Sequence, residues 1–160
     1  MDIEKSIQLS ATPEQLWSLL LDPQTMASCV PGMQSIEVVS DTEYLVSLKV
    51  KIAFVTASFK IRTNVLEQKP PHYLKSAGVG EDAALASSLK HQSEIFLTSL
   101  ESGVTELRIL THVDVLGRVG TFGLNAMKTK TDRMWDEFAA MLKSKLELEL
   151  QSNQGPMAST

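Results

Sequence analysis

Three histidines, a single cysteine and a run of spaced glycines are the residues of this chain whose chemistry could go beyond packing. His72, His91 and His112 fall on three different expected strands, and none has a Cys, His or carboxylate at a metal-ligand spacing. His112 shares an outward face with Arg108 and Asp114, which reads as a solvated histidine rather than a general base. Cys29 stands beside Met26 and Val30 with no base to lower its pKa, so it reads as a small buried hydrophobe. Gly117, Gly120 and Gly123 match neither the dinucleotide nor the Walker spacing, and they follow a strand of antiparallel type; a hinge or close-packing point is expected there. Gly78 and Gly80 read as a bulge or bend. No catalytic residue, metal site or cofactor is assigned.

Two further groups point to binding. Met127, Met134 and Met141 recur every seven residues, and Met26 and Met33 lie on a second apolar segment; flexible, polarizable methionines line sites that adapt to varied apolar ligands. Thr131 interrupts the stripe between Met127 and Met134, where a hydroxyl could face a cavity. Lys49, Lys51, Lys60 and Arg62 cluster on the outer face of two paired strands beside the apolar tip Ala53-Phe54-Val55. That group reads as an ordinary solvated face, with docking to acidic headgroups or an acidic protein as the alternative.

The elements that must position these residues follow from periodicity. From Thr121 to about Leu150 the apolar residues repeat as in one long amphipathic helix, with Leu124, Trp135, Phe138, Leu142, Leu146 and Leu148 on or beside the methionine stripe. Ile3, Ile7 and Leu9 alternate with polar residues as in a strand, and Lys5 places that strand near an edge. Thr12-Pro13-Glu14-Gln15 is a capping box with proline at the first helical position, and Asp22-Pro23 opens a second short helix reaching about Cys29. Period-two alternation then predicts six strands, 34–40, 43–53, 56–68, 72–81, 86–100 and 104–116, paired consecutively and antiparallel. Tyr44, Val46, Leu48, Val50 and Ile52, then Ala57, Phe59, Ile61, Thr63 and Val65, and finally Leu107, Ile109, Val113 and Val115 form a nearly all-apolar inner face for the long helix.

A length of 160 residues suits a single domain, read as 1–150 with a polar tail at 151–160 expected to be disordered. With 43% hydrophobic and 21% charged residues the chain is that of a globular protein, and its formal charge of −4 argues against a nucleic-acid partner. The lone cysteine and the lack of an apolar leader or span place the expected location in the cytoplasm, with peripheral contact at the inner membrane face as an option.

The order of elements resembles the START and birch-pollen-allergen-like helix-grip superfamily, also called SRPBCC. Within it, Leu20-Leu21-Asp22-Pro23 followed by Cys29-Val30-Pro31-Gly32-Met33 and Ile36-Glu37 is similar to the "D-P … C-I-P-G … L-E" run of the carbon monoxide dehydrogenase G-subunit (CoxG) family. Val50-Lys51-Ile52, Val55 to Lys60 and Gly117-Arg118-Val119-Gly120 resemble later motifs of that family, over about residues 2–148. The chain departs from it at Ala53-Phe54, where the family carries a Gly-Pro turn. The resemblance implies an α+β helix-grip fold: a curved antiparallel sheet of about seven strands around a long C-terminal helix, with two short helices after the first strand. It also implies an interior cavity. A lipophilic small molecule, a quinone for example, is then expected against Met26, Val30, Met33, Leu48, Val50, Phe59, Ile61, Ile109, Leu124, Met127, Thr131, Met134 and Phe138. The implied partner is a molybdenum hydroxylase of the carbon monoxide dehydrogenase type, recruited to the membrane or supplied with an electron acceptor; Lys49, Lys51, Phe54, Lys60 and Arg62 are the expected docking residues. Two alternatives stand beside it. A cavity enzyme would need polar groups converging inside, with His91 and Glu94 both inward near Asn125; an assembly or membrane-docking factor would need no cargo.

Overall fold

The computed structural model describes the backbone of residues 1–158 and the side chains of residues 1–149. Alternation of apolar and polar residues builds seven strands, β1 (Asp2–Leu9), β2 (Met33–Val38), β3 (Glu43–Ile52), β4 (Val55–Lys69), β5 (Tyr73–Asp82), β6 (Ser87–Glu101) and β7 (Val104–Gly117). They form one antiparallel sheet in the order β1-β7-β6-β5-β4-β3-β2, so the first two strands in sequence become its two edges. The helices α1 (Pro13–Leu20) and α2 (Pro23–Cys29) lie between those edges in the chain, and α2 packs on both β2 and the last helix, α3 (Gly123–Ala158). This is the fold expected from the order of elements. The helix carries on to Ala158, over most of the segment expected to be a tail, whose side chains lie outside the described residues.

Local chemistry accounts for the breaks. Thr12 Oγ1 accepts from the Gln15 N–H and the Gln15 side chain accepts from the Thr12 N–H, closing the capping box that starts α1. The Asp22 carboxylate caps α2 through the Gln24 N–H and also takes the Thr25 hydroxyl at 2.8 Å. Between β3 and β4 the chain reverses through Ala53 at φ 55°, a left-handed conformation that glycine adopts without a penalty.

The long helix begins later than its apolar pattern predicts. A short 3-10 turn, Val119–Phe122, precedes it, and Val119 and Phe122 supply the packing at that end. Leu124 is consequently 62% exposed instead of lying on the buried stripe. Met141 and Leu148 also face outward, while Leu142 and Leu146 are buried. A seven-residue repeat drifts about 20° per heptad on a straight helix, so a stripe begun at Met127 and Met134 rotates off the sheet by Met141 and the three- and four-residue neighbours take over.

Two apolar clusters close the two ends of the helix–sheet sandwich. One joins Leu16, Leu19 and Cys29 to Leu97, Leu107, Phe138, Leu142 and Leu146; the other joins Val50, Ile52, Ala57, Phe59 and Ile61 to Val119 and Met127. Gly117 lets the chain leave β7 close to β6, since a Cβ there would stand 2.1 Å from the Ala86 carbonyl oxygen.

Candidate functional site: an interior cavity

A cavity of about 580 Å³ lies beneath α3, lined by residues of both clusters and by the residues between them. Met26 and Val30 of the α2 segment, Met33 at the start of β2, Leu48 and Val50 of β3, Phe59 and Ile61 of β4, Ile109 of β7, and Met127, Thr131, Met134 and Phe138 of α3 all face it. Of the expected ligand residues only Leu124 does not, for the reason given above. The Thr131 hydroxyl lies at this surface but donates to the Met127 carbonyl at 2.9 Å, so its hydrogen is already used along the helix.

The interior is nearly all apolar, as expected, but it carries one polar strip. Thr63, Ser76, His91, Ser93 and Thr111 also line the cavity, on adjoining rows of β4, β5, β6 and β7. His91 Nε2 lies 3.1 Å from Thr63 Oγ1, His91 Nδ1 lies 3.1 Å from Ser93 Oγ, and Thr111 Oγ1 donates to Ser93 Oγ at 3.2 Å. Burial holds the imidazole below its usual pKa, so the ring is neutral at physiological pH. Gly78 sits between Thr63 and His91 in register, and a Cβ there would fall 2.4 Å from Nε2 and 2.8 Å from the threonine oxygen. The strand runs in unbroken register through Gly78 and Gly80, and the irregularity on β4 lies at Val65/Glu67, so these glycines form no bulge and instead make room for side chains. The inward parity of His91 and Ser93 was readable from Leu89 and Ile95 on the same side of β6.

The trio needed for a cavity enzyme does not assemble. Glu94 lies on the opposite face of β6 from His91 and accepts from Tyr73 Oη at 2.5 Å, an interaction that lifts the tyrosine pKa to about 12. Asn125 borders a separate recess with Lys51, Lys130 and Arg133. His72 Nδ1 meets the Leu97 carbonyl at 2.9 Å, and His112 is half-exposed between Asp2 at 2.6 Å and Asp114 at 3.2 Å. The Asp2 hydrogen bond, then the Asp114 charge, raise the His112 pKa. Cys29 is buried and free. Among the described residues no group of three His, Cys, Asp or Glu could hold a metal ion.

The expected docking residues fall at two places. Arg62 is ion-paired with Glu43, and Lys60 stands opposite Glu81, so acid alternates with base on that part of the outer face. Lys49 and Lys51 lie nearer the β3–β4 tip, where Phe54 is 84% exposed and meets Phe122 edge-on at 5.9 Å. The tip thereby touches the turn that leads into α3. No helix among the described residues is long and apolar enough to cross a membrane.

The family model for the carbon monoxide dehydrogenase G subunit (CoxG) matches residues 6–147. No curated protein matches the chain. Among solved structures, a conserved protein from Geobacillus kaustophilus is 24% identical with a TM-score of 0.84, covering 92% of this chain and 95% of its own. A START superfamily protein from Mycobacterium smegmatis is 14% identical (TM-score 0.73, 92% and 97% covered). The Zhui aromatase/cyclase from Streptomyces sp. R1128 is 16% identical (TM-score 0.67, 94% and 95% covered). At these identities the likeness is one of fold.

Proposed function

The chain belongs to the carbon monoxide dehydrogenase G-subunit (CoxG) family, and from that premise we propose that it binds a lipophilic small molecule, a quinone in the first instance, in the cavity beneath α3. In this reading the bound molecule serves a carbon monoxide dehydrogenase-type molybdenum hydroxylase, as an electron acceptor delivered to it or as a tether that brings it to the membrane. The observation that carries the reading is the cavity itself. A core of this size ordinarily closes on its own side chains, whereas here Met26, Met33, Met127 and Met134 ring open space. Burial of an isoprenoid-like tail against such walls contributes about 0.8 kcal/mol for each methylene removed from water.

Phe54 with Lys49 and Lys51 is the part of the expected docking group best suited to an acidic membrane surface, because an apolar tip beside cations can engage headgroups and acyl chains together. The ion pair of Arg62 and the Lys60–Glu81 opposition make those two residues weaker contributors. The test begins with solvent extraction of purified protein followed by mass spectrometry. A quinone or similar lipid is expected; protein that carries nothing and binds no added quinone would contradict the proposal. Charge reversal at Lys49 and Lys51, read by co-sedimentation with anionic liposomes, tests the docking component separately, and unchanged binding would remove it.

A further inference from the structure

Resting on the reading of the cavity as a ligand site, we infer that its ligand is a neutral apolar molecule bearing a hydrogen-bond-accepting carbonyl oxygen, which seats on the strip Thr63–His91–Ser93–Thr111. The donor hydrogens of the strip outnumber its internal contacts. A neutral imidazole carries one N–H, and each of the three hydroxyls carries one hydrogen, so the strip holds four donor hydrogens. Those four groups make three contacts with one another, whichever tautomer the ring adopts. One hydrogen is therefore left over. It resides on Thr63 when the ring N–H points there, and toward the Ser93–Thr111 end when the order reverses. No other acceptor touches any of the four among the described hydrogen bonds.

Water can take that hydrogen while the cavity is empty. Once an apolar body fills the space, the donor is satisfied only if the ligand brings an acceptor, because a stranded polar group costs about 1–3 kcal/mol. An ionised acid fits poorly at the strip, where His91 is uncharged. Of the two lysines at the cavity wall, Lys5 is held by Asp132 at 2.6 Å, and Lys130 also borders the recess it shares with Lys51 and Arg133. A pure hydrocarbon leaves the leftover hydrogen unmet. A ketone or quinone carbonyl answers it without introducing charge, and Gly78 makes the room in which His91 and Thr63 meet.

The experiment compares 2-methyl-1,4-naphthoquinone with 2-methylnaphthalene, which share a ring body, by calorimetric titration of the native protein. The hydrocarbon loses less on leaving water, so a featureless cavity would favour it. The strip predicts the reverse, with the quinone about fivefold tighter and the carbonyl stretch of the bound quinone moved to lower frequency than in hexane. The variant Thr63→Val/His91→Leu/Ser93→Ala/Thr111→Val should restore the hydrocarbon's advantage, and the native comparison stands if that variant fails to fold. Equal or tighter binding of the hydrocarbon by native protein overturns this inference and leaves the cavity reading intact. Binding of neither probe overturns both.

Discussion

His91 and His112 titrate in opposite senses, and the difference can be read in stability. Burial lowers the folded-state pKa of His91, so the unfolded chain binds more protons as pH falls below about 6.5 and the native state loses stability there. Asp2 and Asp114 raise the folded-state pKa of His112, so its contribution is complete below about 6.5 and disappears as pH rises through the higher folded value. Chemical denaturation between pH 5 and 8 should show His91→Gln weakening the acid-side loss and His112→Gln flattening the alkaline-side loss. Identical profiles for the two variants would refute these environments. Gly78→Ala is expected to cost about 1–3 kcal/mol in urea unfolding, because its Cβ would meet His91, Thr63 and the Arg62 carbonyl within 3 Å. The inward placement of His91 was legible from the parity of β6, but its pairing with Thr63 was not. That pairing depends on the register of β4, β5 and β6, which no single strand's pattern contains.

The long helix shows what periodicity can and cannot specify. Met127, Met134 and Phe138 face the cavity as their spacing predicts, whereas Leu124 and Met141 do not, because the first is displaced by the 3-10 turn and the second by helical drift. Leu142→Ala should therefore cost about 2–5 kcal/mol while Met141→Ala stays within about 0.5 kcal/mol. Comparable losses at the two positions would mean the helix is rotated from its described phase. In the β3–β4 hairpin, Ala53→Gly should raise stability by about 0.5–1 kcal/mol by relieving the positive φ, measurable as a shift of the urea midpoint. The strands and both short helices were legible nearly to the residue, since capping boxes and alternation are local signals. Which strands become the sheet edges was not, apart from the hint at Lys5, because pairing β1 with β7 joins residues about a hundred positions apart.

At the scale of the molecule, the helix and sheet are packed at both ends and held apart between them, and that separation is the central claim about function. Periodicity placed most of these residues on one inner surface but could not reveal whether they meet or stand apart, since a filled core and a lined cavity share one apolar pattern. Thr131→Phe, projecting a larger ring into the space, should weaken binding of a short-chain quinone by about tenfold or more while far-ultraviolet circular dichroism stays unchanged. The most direct test is a crystal structure of the protein grown with such a quinone. Density for it is expected beneath α3, between Met127 and Phe138, with a carbonyl toward Thr63 and His91. A quinone found only on the outer surface, with the space beneath α3 closed by repacked side chains, would contradict it.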